Sequence, residues 1–165
     1  MIDKDIEDLD IEILKILDKD GRENKSNIAT HLGKSPNTIK AHIEALESEK
    51  IIKGYGVQID YEKLGYEIIA IIELTISKGK MIEVEREISR LPNIFAVYDI
   101  TGTYDALLLA RFKTRGELND LVKKINLNEF VIRTNTHLIL NVKKEESNLN
   151  KLLDYEKKNK EKNKD

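Results

Sequence analysis

The sequence predicts an α+β fold in two units: an N-terminal winged helix-turn-helix and a C-terminal βαββαβ unit of the ferredoxin-like arrangement. Three observations predict it. Residues 35–55, SPNTIKAHIEALESEKIIKGY, read as a capped helix, a sharp stop and the start of a β-wing. A second helix precedes them across the short turn Leu32-Gly33-Lys34. From Ile68 onward the apolar period changes, and isoleucine-rich strands alternate with amphipathic helices.

Within the first unit, residues 1–60, Asp8 or Asp10 caps a first helix that buries Ile13, Ile16 and Leu17. Asp20-Gly21-Arg22 ends it with a glycine stop. Asn24 caps a second helix, Lys25 to Leu32, buried through Ile28, Ala29 and Leu32, with Gly33 just past its end. Ser35 is the N-cap of the third helix, and Pro36 takes the first helical position, where its missing N–H costs nothing. Ile39, Ile43 and Leu46 form one apolar stripe. The opposite side carries Asn37, Lys40, Ala41 and Glu44, flanked by Thr38 and Ala45. Two helices joined by a glycine turn, the second polar on its outer face, present a reader to the DNA major groove. Ile51 to Ile59 reads as a two-strand wing around a glycine turn, or as one strand with a bulge. Residues 61–66 form a linker.

The second unit spans residues 67–146. Ile68 to Ile76 is a strand, and Lys80 to Leu91 a helix with Val84, Ile88 and Leu91 in register; Pro92-Asn93 breaks it. Ile94 to Ile100 and Asp105 to Phe112 are strands joined by the turn Thr101-Gly102-Thr103-Tyr104. Thr114 opens a capping box with Glu117 for a helix through Ile125, with Leu118, Leu121, Val122 and Ile125 inward. Phe130 to Val142 is the last strand. The first strand is apolar on both faces: Ile68, Ala70, Ile72, Leu74 and Ile76 on one, Ile69 and Ile71 on the other. Ala106 to Ala110 is likewise apolar on both. A sheet with helices on one side only should alternate with polar residues on the other. A second face that does not do so needs a cover, and an identical sheet supplies one, hence a homodimer. Residues 147–165 read from composition as a charged, disordered tail.

Charge limits how this chain meets nucleic acid. The 165 residues carry a net charge of −2. Residues 1–60 hold 9 Lys and Arg against 13 Asp and Glu, with much of the acid at Asp3, Asp5, Glu7, Asp8, Asp10 and Glu12. That balance counts against tight non-specific DNA binding, which phosphate neutralisation dominates. Lys25, Lys34, Lys40, Lys50 and Lys53 are left to do the phosphate work. There is no cysteine, which excludes disulfides and thiolate metal sites and fits a cytoplasmic location. His31, His42 and His137 share no ligand spacing, so neither metal nor cofactor is expected. No apolar run approaches the ~20 residues a membrane helix needs, so no membrane partner is expected.

Three stretches in order, LDIEILKILDKDGR, SPNTIKAHIEALESEKIIKGY and LPNIFAVYDITGTYDALLL, resemble the Lrp/AsnC, or feast/famine, transcription regulators. The resemblance covers roughly Leu9 to Val142 and includes the family's glycine-x-x-aspartate turn, here Gly102-Thr103-Tyr104-Asp105. It implies a sequence-specific regulator that binds a palindromic double-stranded operator. It also implies assembly through the sheet of the C-terminal (RAM) domain into dimers, commonly octamers. An amino-acid effector is implied at the turn, taken by Thr101, Gly102, Thr103, Tyr104 and Asp105, with Thr134 and Thr136 as further contacts. Free N–H groups beside a glycine suit a carboxylate, and Asp105 suits an α-ammonium group. DNA contact falls to Lys25, Ser35, Asn37, Thr38, Lys40, Ala41, His42 and Lys53. Lys40 matches the family's usual basic position. His42, Glu44 and Ala45 depart from the Arg or Lys many members carry, so affinity is expected to lean on the avidity of paired readers.

Two other readings compete. An effector-independent protein that organises DNA shares every one of these features. The sirohaem decarboxylases look like this family and are expected to use histidine and basic residues. The turn TGTYD has no histidine near it, and Arg111 is the nearest basic residue. No nucleophilic triad or paired-carboxylate arrangement appears elsewhere, so the chain is not expected to be an enzyme.

Overall fold

The computed structural model describes residues 6–146 and 149–162. The chain forms two compact units, one from residues up to 58 together with those from 145 onward, the other from residues 59–144. Asp3 and Asp5, and the ends of the expected tail at 147–148 and 163–165, lie outside the described residues.

The first unit opens with α1 (Asp8–Lys19), α2 (Lys25–Leu32) and α3 (Pro36–Ser48). Asp8 and Asp10 do not take the N-cap of α1; Glu7 does, and Asp10 Oδ2 accepts its backbone N–H at 3.0 Å. Asn24 caps α2 by accepting the Asn27 N–H at 2.8 Å. Gly33 ends α2 in the left-handed region, φ 64° and ψ 36°, a conformation in which a β-carbon would crowd the carbonyl. The core is small and aliphatic: Ile13, Ile28, Ala29, Ile39, Ile43 and Leu46, with Ile16, Leu17 and Leu32 packed around it. Burying each large member contributes about 1.5–3 kcal/mol.

Residues 51–60 contain no strand, so neither form of the expected wing is present within the protomer. The segment is extended and anchored at its start. Ile51 and Ile52 both donate to the Leu46 carbonyl, at 2.9 and 3.1 Å. Lys50 makes the reversal with φ 58°.

The expected tail also differs from its composition. Leu149–Lys162 is a helix, α6, packed on α1. Charge counting misses it because docking needs only a narrow stripe, here Leu149 and Leu153, half-buried one turn apart. Asn150 Nδ2 fastens the stripe by donating to Asp18 Oδ2 at 2.9 Å.

In the second unit β1 (Ile68–Ile76), α4 (Met81–Ile88), β2 (Ile94–Asp99), β3 (Ala106–Phe112), α5 (Arg115–Asn126) and β4 (Val131–Leu138) follow in order. The sheet order is β2-β3-β1-β4, and each adjacent pair is antiparallel. Thr114 caps α5 by accepting the Glu117 N–H at 3.2 Å, while Glu117 Oε2 takes the Lys113 N–H instead of closing the box on Thr114. Val84 and Ile88 of α4 and Leu121 and Ile125 of α5 share one core with Ala70, Ile72, Leu74, Ala106, Leu108, Ala110 and Phe112.

The other sheet face follows from the register. Ile69, Ile71 and Glu73 lie opposite Arg111, Leu109 and Leu107, and Ala96 and Tyr98 lie opposite Leu109 and Leu107. The four aliphatic residues Ile69, Ile71, Leu107 and Leu109 stay only half-buried, because α4 and α5 pack on the opposite face.

Candidate nucleic-acid interface and ligand turn

The reader is α3. Its N-terminus is fixed by Ser35, whose Oγ accepts the Thr38 N–H at 3.1 Å and lies 2.8 Å from Thr38 Oγ1. Ser35 and Thr38 are thus both engaged in the cap. Ile39, Ile43 and Leu46 point into the core, which leaves Asn37, Lys40, Ala41 and Glu44 exposed on one face. Lys40 Nζ lies 3.7 Å from Glu44 Oε1, a solvated pair worth about 0.3–0.5 kcal/mol that a phosphate easily displaces. Lys25 is exposed at the first position of α2, and Lys53 on the extended segment.

His42 is placed differently from its neighbours. It is half-buried, and its Nδ1 lies 2.7 Å from Oδ1 of Asp10, which is 1% exposed. One buried carboxylate therefore closes the cap of α1 and grips the middle of α3. At the far end of α3, Tyr55 donates its hydroxyl to Glu47 Oε1 at 2.9 Å. Burial first, and then that bond, push the Tyr55 phenol up to about 12.

The second candidate is the turn between β2 and β3. Gly102 has φ 123°, and no heavy atom lies within 4 Å of the space a β-carbon would occupy. Thr101, Gly102 and Thr103 are exposed, and no described residue accepts a hydrogen bond from their amides or from that of Tyr104. Asp105 is committed to the sheet: its Oδ2 accepts the Ile76 N–H at 2.7 Å, and its own N–H bonds the Leu74 carbonyl at 2.8 Å. Thr134 and Thr136 stand opposite Leu74 and Ile72, on the helix side of the sheet. The alternate residue Arg133 is the one brought to the turn, its guanidinium 5.7 Å from the Tyr104 ring. The sequence reading missed Arg133. The signal was the two-residue period of β4, which separates Arg133, Asn135 and His137 from the threonines.

Two further clusters flank the sheet. Asn135 Nδ2 and His137 Nε2 lie 2.9 and 3.1 Å from Glu73 Oε2, and the Asn135 bond leads in holding that carboxyl below its ordinary value. Glu85 on α4 lies beside Asp99. Burial, then the bond to Asp99 and its charge, raise the Glu85 carboxyl to about 7. No group of three or more metal-ligating side chains occurs among the described residues, and no described helix is long and apolar enough to cross a membrane.

Comparison with known families agrees with both halves. Residues 69–149 match the Lrp/AsnC ligand-binding domain, and residues 6–53 match a winged helix-turn-helix DNA-binding domain. The chain belongs to the Lrp/AsnC family. Its relatives include an uncharacterized HTH-type transcriptional regulator of Pyrococcus furiosus, 40% identical over 145 residues that cover 88% of this chain and 98% of that one. The regulator FL11 of the same organism is 34% identical, covering 87% and 95%. Among solved structures, Escherichia coli AsnC has the same fold, with a TM-score of 0.82 at 23% identity over 87% of this chain and 98% of that one. A Neisseria meningitidis regulator in complex with L-Met shares it as well, with a TM-score of 0.78 at 22% identity over 87% and 95%. The chain is an HTH-type transcription regulator of the Lrp/AsnC kind, and its relatives are named as HTH-type transcriptional regulators.

Proposed function

We propose that this Lrp/AsnC protein binds a palindromic operator as a homodimer or higher oligomer in the cytoplasm, gated by an amino acid. The carrying observation is α3 itself: a helix capped by Ser35, set off by a left-handed Gly33, with an exposed polar face. Asn37 and Ala41 make the groove contacts. Lys25, Lys40, Lys53 and the cap residues Ser35 and Thr38 meet the backbone, and His42 supports the helix from behind. The half-buried aliphatic face of the sheet closes on a second copy, which pairs the readers.

For the effector, the open amides at Thr101–Tyr104 take the carboxylate and Arg133 adds a cation beside them. Asp105 keeps one oxygen for an ammonium group while the other holds Ile76. Thr134 and Thr136 contact the effector only if it reaches around the sheet edge. The name Lrp/AsnC ligand-binding domain supports a small-molecule ligand, and the L-Met complex of the Neisseria protein illustrates one on this fold.

Selection of duplexes from a random pool by the purified chain, with and without the twenty amino acids, tests this. A palindrome whose affinity changes with the mixture is expected. A palindrome indifferent to it would remove the sensor and leave an effector-independent DNA organiser. No enrichment would remove the operator reading altogether. Lys40→Ala should weaken selected and scrambled duplexes alike and make the salt slope shallower by about one.

A further inference from the structure

The helix α6 lies beyond the matched ligand-binding domain, which ends at residue 149, where α6 begins. The alignment with the Pyrococcus furiosus relative takes in 98% of that chain and 88% of this one. The docking partner of α6 is α1, in the same compact unit. Asn150 is fixed at the C-terminal end of α1, where its Nδ2 reaches both Asp18 Oδ2 and the Lys15 carbonyl, at 2.9 and 3.4 Å. One turn later, the Asp154 carboxylate lies close enough to act on the Lys15 ammonium, which is held mainly by Glu12. The helix therefore runs back along α1, toward the end where Asp10 grips the reader. Each residue advances it about 1.5 Å.

What α6 carries in that direction is lysine. Positions 157–162 read KKNKEK. Lys157 and Lys158 are exposed, and no described acid pairs with either. A DNA-binding unit short of cations thus holds a docked helix whose far end is rich in them. Resting on the DNA-binding reading above, we propose that the end of α6 that carries the exposed Lys157 and Lys158 contacts the phosphate backbone of the same duplex that α3 reads, adding affinity without sequence preference.

Phosphate contacts have a signature that a merely structural helix lacks. Each one released changes the slope of log affinity against log salt by about 0.9, equally for any sequence. The test compares the full chain with a Lys157→Gln, Lys158→Gln, Lys160→Gln, Lys162→Gln variant, on a duplex recovered by selection and on a scrambled duplex. Glutamine keeps the helix, which circular dichroism and the melting temperature check. The expected result is a slope shallower by about two to four and at least roughly tenfold weaker binding at low salt, with the ratio of selected to scrambled affinity unchanged. Reversing Lys157 and Lys158 to Glu should weaken binding further. Identical slopes and affinities for wild type and variants would overturn the proposal while leaving the regulator reading intact. A wild type that selects no sequence would remove the operator reading, and the scrambled duplex would still decide the role of α6 through its slope.

Discussion

The two units treat their apolar residues differently. The helical unit places Ile13, Ile28, Ile39, Ile43 and Leu46 inward and leaves the reader face polar. The sheet unit buries Ala70, Ile72 and Leu74 of β1 and Ala106, Leu108, Ala110 and Phe112 of β3 on one face and still carries Ile69, Ile71, Leu107 and Leu109 on the other. The first pattern is complete within a protomer. The second leaves a half-buried aliphatic sheet face in contact with water until something covers it. On the function proposed above, DNA reading belongs to each helical unit and assembly to the sheet.

Adjacent residues of β3 give the sharpest way to break this contrast. Leu108→Ala, on the helix side, should cost about 2–5 kcal/mol by urea unfolding. Leu109→Asp, on the open side, should leave the protomer folded but reduce the sedimenting mass to that of a monomer. If Leu109→Asp unfolds the chain and Leu108→Ala does not, the assignment of faces is wrong.

The next effect lies in the helical unit. Removing Asp10 strips the cap of α1 and the partner of His42 together, so Asp10→Ala should cost about 2–4 kcal/mol. His42→Arg keeps a donor toward Asp10 and should change stability far less. Equal losses from the two in chemical denaturation would show that the pair is not the cause.

A smaller effect separates two helix ends. Gly33 and Lys50 both sit at positive φ, 64° and 58°. Gly33→Ala should destabilise by about 1 kcal/mol, and Lys50→Gly should stabilise by a similar amount, because only glycine escapes the β-carbon clash. Melting curves that move in the same direction for both would refute the backbone explanation.

The smallest effect is titration of Glu85, which is partly solvated. With its folded value raised to about 7, the native state keeps a proton that the unfolded chain has already lost. Stability contributed at acid pH therefore declines as pH rises from about 4.5 to 7, and is flat beyond. Glu85→Gln should flatten the melting temperature across that window. An unchanged pH profile would mean that burial and Asp99 together do not hold the proton there.

Much of the helical unit was legible in the sequence, because caps and stripes are local. Asn24, Ser35 and Thr114 bond amides three residues away, and the spacing of Ile39, Ile43 and Leu46 sets their burial without reference to any other element. The order of strands and helices in the sheet unit was legible for the same reason, as was its doubly apolar character. The wing was not. A β-prone run such as Ile51–Ile59 has strand propensity but needs a ladder partner, and the protomer offers none.

What the amino-acid sequence determined alone was the set of elements, their caps and the two apolar patterns that separate a reading unit from an assembling one. Only tertiary structure brought Asp10 to His42, Arg133 to Tyr104, Glu85 to Asp99 and Asn150 to Asp18. It also put Thr134 and Thr136 on the helix side of the sheet. These pairings depend on register and docking between distant segments. A one-residue shift would exchange every partner, and no local spacing encodes which shift occurs.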